Sequence, residues 1–149
     1  MTDAASLASR SAAAMWERDL ASQSLGMVIE EIRPGYARLR MPVRADMLNG
    51  YDICHGGYVF LLADSAFAFA CNTYNRATVA AGAAIEFLAA VRAGDVLVAE
   101  AQERALGGRL GVYDIVVSRG QGERVALFRG RSYALNEPVI REDETGSPL

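Results

Sequence analysis

The fold is decided by the stretch Met47-Leu-Asn-Gly-Tyr-Asp-Ile-Cys-His-Gly-Gly-Tyr-Val-Phe-Leu-Leu-Ala-Asp-Ser-Ala-Phe-Ala-Phe-Ala-Cys-Asn72. From Gly56 to about residue 74 it reads as one long helix whose middle is almost entirely apolar. A helix that is hydrophobic on every side is a buried one. The chain's only histidine, His55, precedes a Gly56-Gly57 pair at the helix start, and a single carboxylate, Asp64, follows two turns later. The first N–H groups of a helix have no internal acceptor and can hold a developing negative charge. A carboxylate on an otherwise apolar helix is costly and is a candidate base or nucleophile.

The surroundings of this helix suggest what buries it. Residues 4–23 are dense in alanine and read as an N-terminal helix. Residues 25–31 and 36–43 read as strands joined at Pro34-Gly35. Four further strands are predicted at about 78–89, 96–105, 110–118 and 124–135, separated by Gly94-Asp95, Gly107-Gly108 and the 119–122 turn. The expected class is α+β: a curled antiparallel sheet of about six strands around one long central helix. Residues 1–24 form a helical segment packed on the domain, 25–136 the domain itself, and 137–149 a flexible polar tail. An open sheet has edges that want partners, and a two-fold dimer is a common answer.

Composition narrows the function. A chain of 149 residues with 52% hydrophobic content builds one domain with a real core. No run approaches the length of a membrane span, and the start lacks the pattern of a signal peptide, so a cytoplasmic protein with reduced Cys54 and Cys71 is expected. The net charge of −3 argues against nucleic acid. All fifteen basic residues are arginine, so any phosphate contact falls to arginine, a hydroxyl or the backbone. Cys54, Cys71, His55 and the nearby aspartates lack the paired spacing of a zinc site, and no metal is expected.

The helix spacing has a geometric consequence. Asp64 and Gly57 are seven residues apart, so they share a side of the helix but lie about 10 Å apart along its axis. A general base must reach its proton within about 3 Å or through one water. An antiparallel second copy of the helix would bring Asp64 of one chain near Gly57 of the other, which predicts a site shared between two subunits. Asn49 could position water or a carbonyl, although loop asparagines are more often turn formers. His55 reads as a structural or orienting group.

The pattern Asn49…His55-Gly56-Gly57…Asp64 resembles the hotdog-fold acyl-CoA thioesterases, more narrowly the PaaI family of phenylacetic acid degradation. Further stretches agree: Leu61-Leu-Ala-Asp-Ser-Ala-Phe, Ala84-Ile-Glu-Phe-Leu88, Gly111-Val-Tyr-Asp-Ile115 and Val125-Ala-Leu-Phe-Arg-Gly130. The resemblance covers about residues 13–135. It implies hydrolysis of an acyl-CoA thioester, of aryl-acetyl type, to the free acid and CoA without a cofactor. It implies Asp64 as general base or nucleophile, the Gly57 N–H as oxyanion donor, and Asn49 and His55 as groups that place the carbonyl and the water. It further implies a homodimer with shared sites, assembled as a homotetramer.

One departure stands out. Related thioesterases often carry a Ser or Thr before the position of Ile85, where this chain reads Val79-Ala-Ala-Gly-Ala-Ala. Ala81 and Gly82 leave room beside the site instead. Tyr58, Phe60 and Phe67 are the candidate acyl lining. Gly108 and Arg109, with Arg104 and Arg131, are candidates for the nucleotide phosphates. Two competing readings are a non-catalytic acyl-CoA sensor and a hotdog hydratase, whose Asp-x4-His spacing is absent.

Overall fold

The computed structural model describes residues 2–143. Helix α1 (Asp3–Arg18) starts at Thr2, whose hydroxyl accepts the Ala5 N–H at 3.0 Å. The alanine-rich stretch does not continue as one helix. At Asp19 the chain leaves α1, and the Asp19 carboxylate accepts the Ser22 N–H to open a second short helix, α2 (Leu20–Ser24). A side-chain cap offered inside a helical run competes with the run itself.

Gly26, at φ +71, then turns the chain into β1 (Val28–Arg33), which begins later than the composition suggests. Strand β2 (Tyr36–Pro42) returns through Pro34-Gly35, where Gly35 takes the left-handed φ of +70 that a side chain resists. The loop that follows contains a 3-10 turn at Ala45–Met47. Helix α3 (Gly56–Cys71) is the long apolar helix. It ends at Asn72, whose amide donates to the Ala68 and Thr78 carbonyls and accepts the Thr78 N–H, so one side chain closes the helix and starts the next strand.

Strands β3 (Thr78–Phe87), β4 (Val96–Gly107), β5 (Leu110–Arg119) and β6 (Glu123–Ala134) complete one six-stranded antiparallel sheet, in the order β1-β2-β4-β5-β6-β3. Alternation decides the faces. In β6, Ala126, Phe128, Gly130, Ser132 and Ala134 are buried, while Leu127, Arg129, Arg131 and Tyr133 point outward. The buried face wraps α3. Phe67, 1% exposed, packs against Tyr113 at 5.6 Å and Phe128 at 6.0 Å between ring centres. Gly130 admits that ring: a Cβ there would lie 2.6 Å from Phe67 Cε2.

Strand β3 lies at the end of the sheet with seven of its ten residues exposed, and a bulge between Ala80 and Gly82 shifts its register. The first part of the expected tail is tied down. Val139 is buried, its carbonyl accepts Arg18 Nη2 at 3.1 Å, and the Ile140 N–H donates to Asn75 Oδ1 at 2.9 Å. The rest of that tail, residues 144–149, lies outside the described residues.

Candidate active site

The mouth of α3 is built by the loop before it. Asn49 is a turn former: its Oδ1 accepts the Tyr51 N–H at 2.9 Å and the Ile53 N–H at 3.4 Å. The Cys54 N–H bonds to the Val91 carbonyl and the His55 N–H to the Met47 carbonyl, which fix the approach to the helix. His55 is then the cap, and its Nδ1 accepts the Gly57 N–H at 2.9 Å. An imidazole that accepts at Nδ1 is neutral and carries its proton on Nε2. The N–H expected to face a substrate oxygen is therefore occupied by His55 in this conformation. The Tyr58 ring stands edge-on to His55, with centroids 6.4 Å apart.

Asn49 and Gly56 line a cavity of about 220 Å³ beside this mouth, with Ile53, Cys54, Val59, Phe87 and the 89–91 segment as its walls. Of the expected acyl contacts, none forms this lining. Tyr58 is partly exposed at the helix start, Phe60 packs on Phe128 at 5.1 Å, and Phe67 belongs to the core. Periodicity cannot tell which side of an all-apolar helix meets a cavity. The walls from β3 and beyond it join the site only through the fold.

Asp64 is partly buried on α3 and has no hydrogen-bond or ion-pair partner among the described residues. Burial pushes its carboxyl above the usual value of 3.8, and the Asp19 carboxylate adds to the rise. Asp19 is itself held near α3, because the Ser22 hydroxyl donates to it at 2.6 Å and meets the Ser65 hydroxyl at 2.8 Å. Within this chain Asp64 and Gly57 share one helix, with the axial separation that its geometry imposes.

A second cavity, of about 180 Å³, opens at the other end of α3. Gly108, Arg109 and Arg76 line it with Leu106, Leu110 and Ser132. Arg109 donates to the Ala134 carbonyl at 2.9 Å and to Asn136 Oδ1 at 2.6 Å, and Arg76 to the Gly108 carbonyl at 3.4 Å. Neither guanidinium meets a carboxylate among the described residues, and Ser132, 2% exposed, has no hydrogen-bond partner for its hydroxyl there. Arg76 and Ser132 carried no sequence signal beyond their residue types.

The other two arginines are engaged elsewhere. Arg104 pairs with Asp114 at 3.1 Å, which Arg129 also holds at 2.7 Å. Arg131 lies across Gly82 and donates to the Ala81 carbonyl at 3.2 Å, bracing the β3 bulge. Ala81 and Gly82 thus sit on the exposed edge strand. Among the described residues no three His, Cys, Asp or Glu side chains converge as a metal site, and no helix is long and apolar enough to cross a membrane.

The curled sheet around a buried, Gly-Gly-started helix with an unpaired aspartate is the hotdog arrangement. The thioesterase superfamily matches the chain over residues 51–126, and the chain belongs to that superfamily. Over 133 residues it is 45% identical to the acyl-coenzyme A thioesterase PaaI of Escherichia coli K12, covering 89% of this chain and 95% of that protein. The structure of the E. coli PaaI protein from the phenylacetic acid degradation operon matches it with a TM-score of 0.88, over 90% of this chain and 97% of that one. The TT0310 protein of Thermus thermophilus matches with a TM-score of 0.74 at 37% identity, over 76% of this chain and 96% of that one.

Proposed function

We propose that the protein hydrolyses acyl-CoA thioesters of aryl-acetyl type, at sites each built from two protomers. The observation that carries this reading is Asp64: a carboxylate with no partner, raised in pKa by burial, on the helix whose mouth offers N–H donors. A base whose pKa is moved toward neutrality is better matched to proton abstraction from water. Asp64 takes a proton from water as its oxygen attacks the thioester carbonyl. The negative charge that develops on the carbonyl oxygen is held at the α3 mouth of the partner subunit. The tetrahedral intermediate then expels the thiolate as the C–S bond breaks, and the thiolate is protonated.

The mouth must rearrange for this. A carbonyl that bonds the Gly57 N–H takes it from His55 Nδ1 or shares it, and the Nε2–H of His55 is a second donor at the same rim. The exposed edge of β3 supports the pairing of two copies, since an unpaired edge with Val79, Phe87 and Leu88 in solvent is unfavourable alone. Arg76, Arg109 and the Ser132 hydroxyl supply an anion-binding set suited to a CoA phosphate. Antiparallel β3 edges would bring this end of one protomer toward the α3 mouth of the other. Both cavities fall below the roughly 300–1,000 Å³ of ordinary ligand pockets, as half-sites do.

Subunit mixing tests the reading. Thiol release is measured across aryl and aliphatic CoA esters for the wild type, for Asp64→Asn and for Gly57→Pro, which removes the N–H. Each variant alone loses a hundredfold or more, on the scale of lost base or oxyanion catalysis. Refolding an equal mixture restores roughly a quarter of wild-type activity, because half the dimers then hold one intact site of two. No recovery in the mixture would place the site within one protomer. Ligand-raised melting without thiol release from the wild type would replace hydrolysis with sensing.

A further inference from the structure

The segment that joins β3 to β4, residues 88–95, passes beside the α3 mouth without forming helix or strand. Its start is tied where the Leu88 N–H bonds the Val125 carbonyl at 2.8 Å. Its end is tied where the Gly94 N–H donates to the Val43 carbonyl and the Asp95 carbonyl accepts the Val43 N–H. Between these ties Val91 is the buried side chain, 3% exposed. The Val91 carbonyl accepts the Cys54 N–H at 2.7 Å. Cys54 directly precedes His55, whose Nδ1 holds the Gly57 N–H. The placement of residues 90 and 91 is therefore passed to the helix mouth through a backbone bond.

A side chain from the end of β5 organises this segment. Arg119 Nη1 donates to the Ala90 carbonyl and, at 3.0 Å, to Asp95 Oδ2, so a single nitrogen spans residues 90 and 95. Asp95 Oδ2 also accepts the Arg92 N–H at 2.8 Å. The rest of the guanidinium is gripped by Glu123, which accepts Nε at 2.9 Å and Nη2 at 3.1 Å. Such a fork fixes the plane of the group, and the Arg119 side chain is only 22% exposed. Ion pairs near the surface add little to stability. What this one supplies is a fixed position for the Ala90 carbonyl.

We infer that Arg119 is a positioning residue for the reaction, which keeps the N–H donors of the α3 mouth in place by holding residues 90–95 against Cys54. The inference rests on the thioesterase reading above. Arg119 acts through Ala90, Val91 and Cys54 rather than on the substrate. Backbone donors stabilise an oxyanion only when they are aimed where the charge develops. A misplacement of about 1 Å, caused far from the chemistry, costs on the order of a hundredfold in rate. A carbonyl that replaces His55 Nδ1 at the Gly57 N–H needs that N–H to stay still while its acceptor changes. A lysine at position 119, a point charge without the fork, could meet the Ala90 carbonyl or Glu123 but not fix the plane between them.

The test measures kcat and KM for phenylacetyl-CoA, and the ring-nitrogen NMR signals of the chain's only histidine, in the wild type, Arg119→Ala, Arg119→Lys and Arg124→Ala. In the wild type the neutral imidazole shows the tautomer protonated at Nε2. Arg119→Ala lowers kcat per folded subunit about tenfold while KM stays within about twofold, as when an interaction counts only in the transition state. The Nδ1–H tautomer appears in the same variant. Arg119→Lys recovers part of both changes. Arg124→Ala, which removes an exposed arginine of β6, produces neither. A kcat loss with an unaltered imidazole spectrum, or one that matches the unfolded fraction seen by calorimetry, assigns Arg119 to stability alone and overturns the inference. Wild-type kcat in Arg119→Ala overturns it too and leaves the hydrolysis intact. A wild type that releases no thiol from any ester overturns the hydrolysis instead, and the tautomer shift still decides whether Arg119 sets the mouth.

Discussion

Gly57 donates its backbone N–H to Nδ1 of His55 at 2.9 Å, so the chain's only histidine caps the helix that the whole sheet surrounds. Loss of a cap costs about 1 kcal/mol, which for a domain of this size lowers the melting temperature by roughly 2–4 °C. His55→Ala will show that loss in calorimetry. His55→Asn, a good cap without an imidazole, will recover the stability. If activity follows stability through both variants, the imidazole has no role beyond capping.

Asp64 gives a pH signature. Its folded-state pKa lies above the ordinary 3.8, chiefly through burial and then through Asp19. The folded state thus binds this proton more tightly than the unfolded one, and stability falls as pH rises from 3.8 through the raised pKa. Asp64→Asn will be more stable than wild type at neutral pH, and the advantage will vanish in acid below that window. The acid limb of kcat/KM will lie above pH 3.8 in the wild type. Asp19→Asn, which removes the neighbouring charge and keeps a capping oxygen, will move that limb to lower pH. A limb unmoved by Asp19→Asn would show that Asp64 does not govern it.

Gly130 and Phe67 form a tight packing constraint in the core. Gly130→Ala forces a methyl into the ring at 2.6–2.7 Å and will cost about 1–3 kcal/mol in urea unfolding. Phe67→Leu in the same chain will return part of that loss, because the shorter side chain vacates the clash. Additive losses in the double variant would contradict the contact.

The arginines separate by their partners. Arg109→Ala and Arg76→Ala will each raise KM for a CoA ester severalfold while leaving an N-acetylcysteamine thioester, which lacks the phosphates, unaffected. The difference will shrink at high salt. Arg104→Ala will do neither, since that guanidinium is committed to Asp114. Equal effects on both esters would mean the arginines act on the fold alone.

Much of this architecture was legible in the chain. Alternation in β5, and in β6 from Ala126 onward, shows which side chains face α3, and the turn glycines Gly35, Gly94, Gly108 and Gly120 all take positive φ where strands were expected to meet. The hidden parts are non-local. Asp19 looks like one more residue of an alanine-rich helix until its carboxylate finds Ser22. Phe67 and Val59 are both apolar positions on α3 and both belong to the core, yet only Val59 also lines the cavity at the helix mouth. Phe87 and Gly56 are far apart in the chain, and only the curl of the sheet sets one upon the other. Arg131 reads as a candidate phosphate contact, and only the fold sets its guanidinium against the bulge at Ala81.

The anchoring of Val139 by Arg18, with Ile140 held by Asn75, links the two extremities of the polypeptide. Shortening the protein at Leu135 would strip the last turn of α1 of its distant tether and uncover the side of the molecule where Ala77 bonds the Glu137 carbonyl. An affinity tag attached beyond Asp143 leaves this clasp closed, whereas one spliced in before Pro138 springs it.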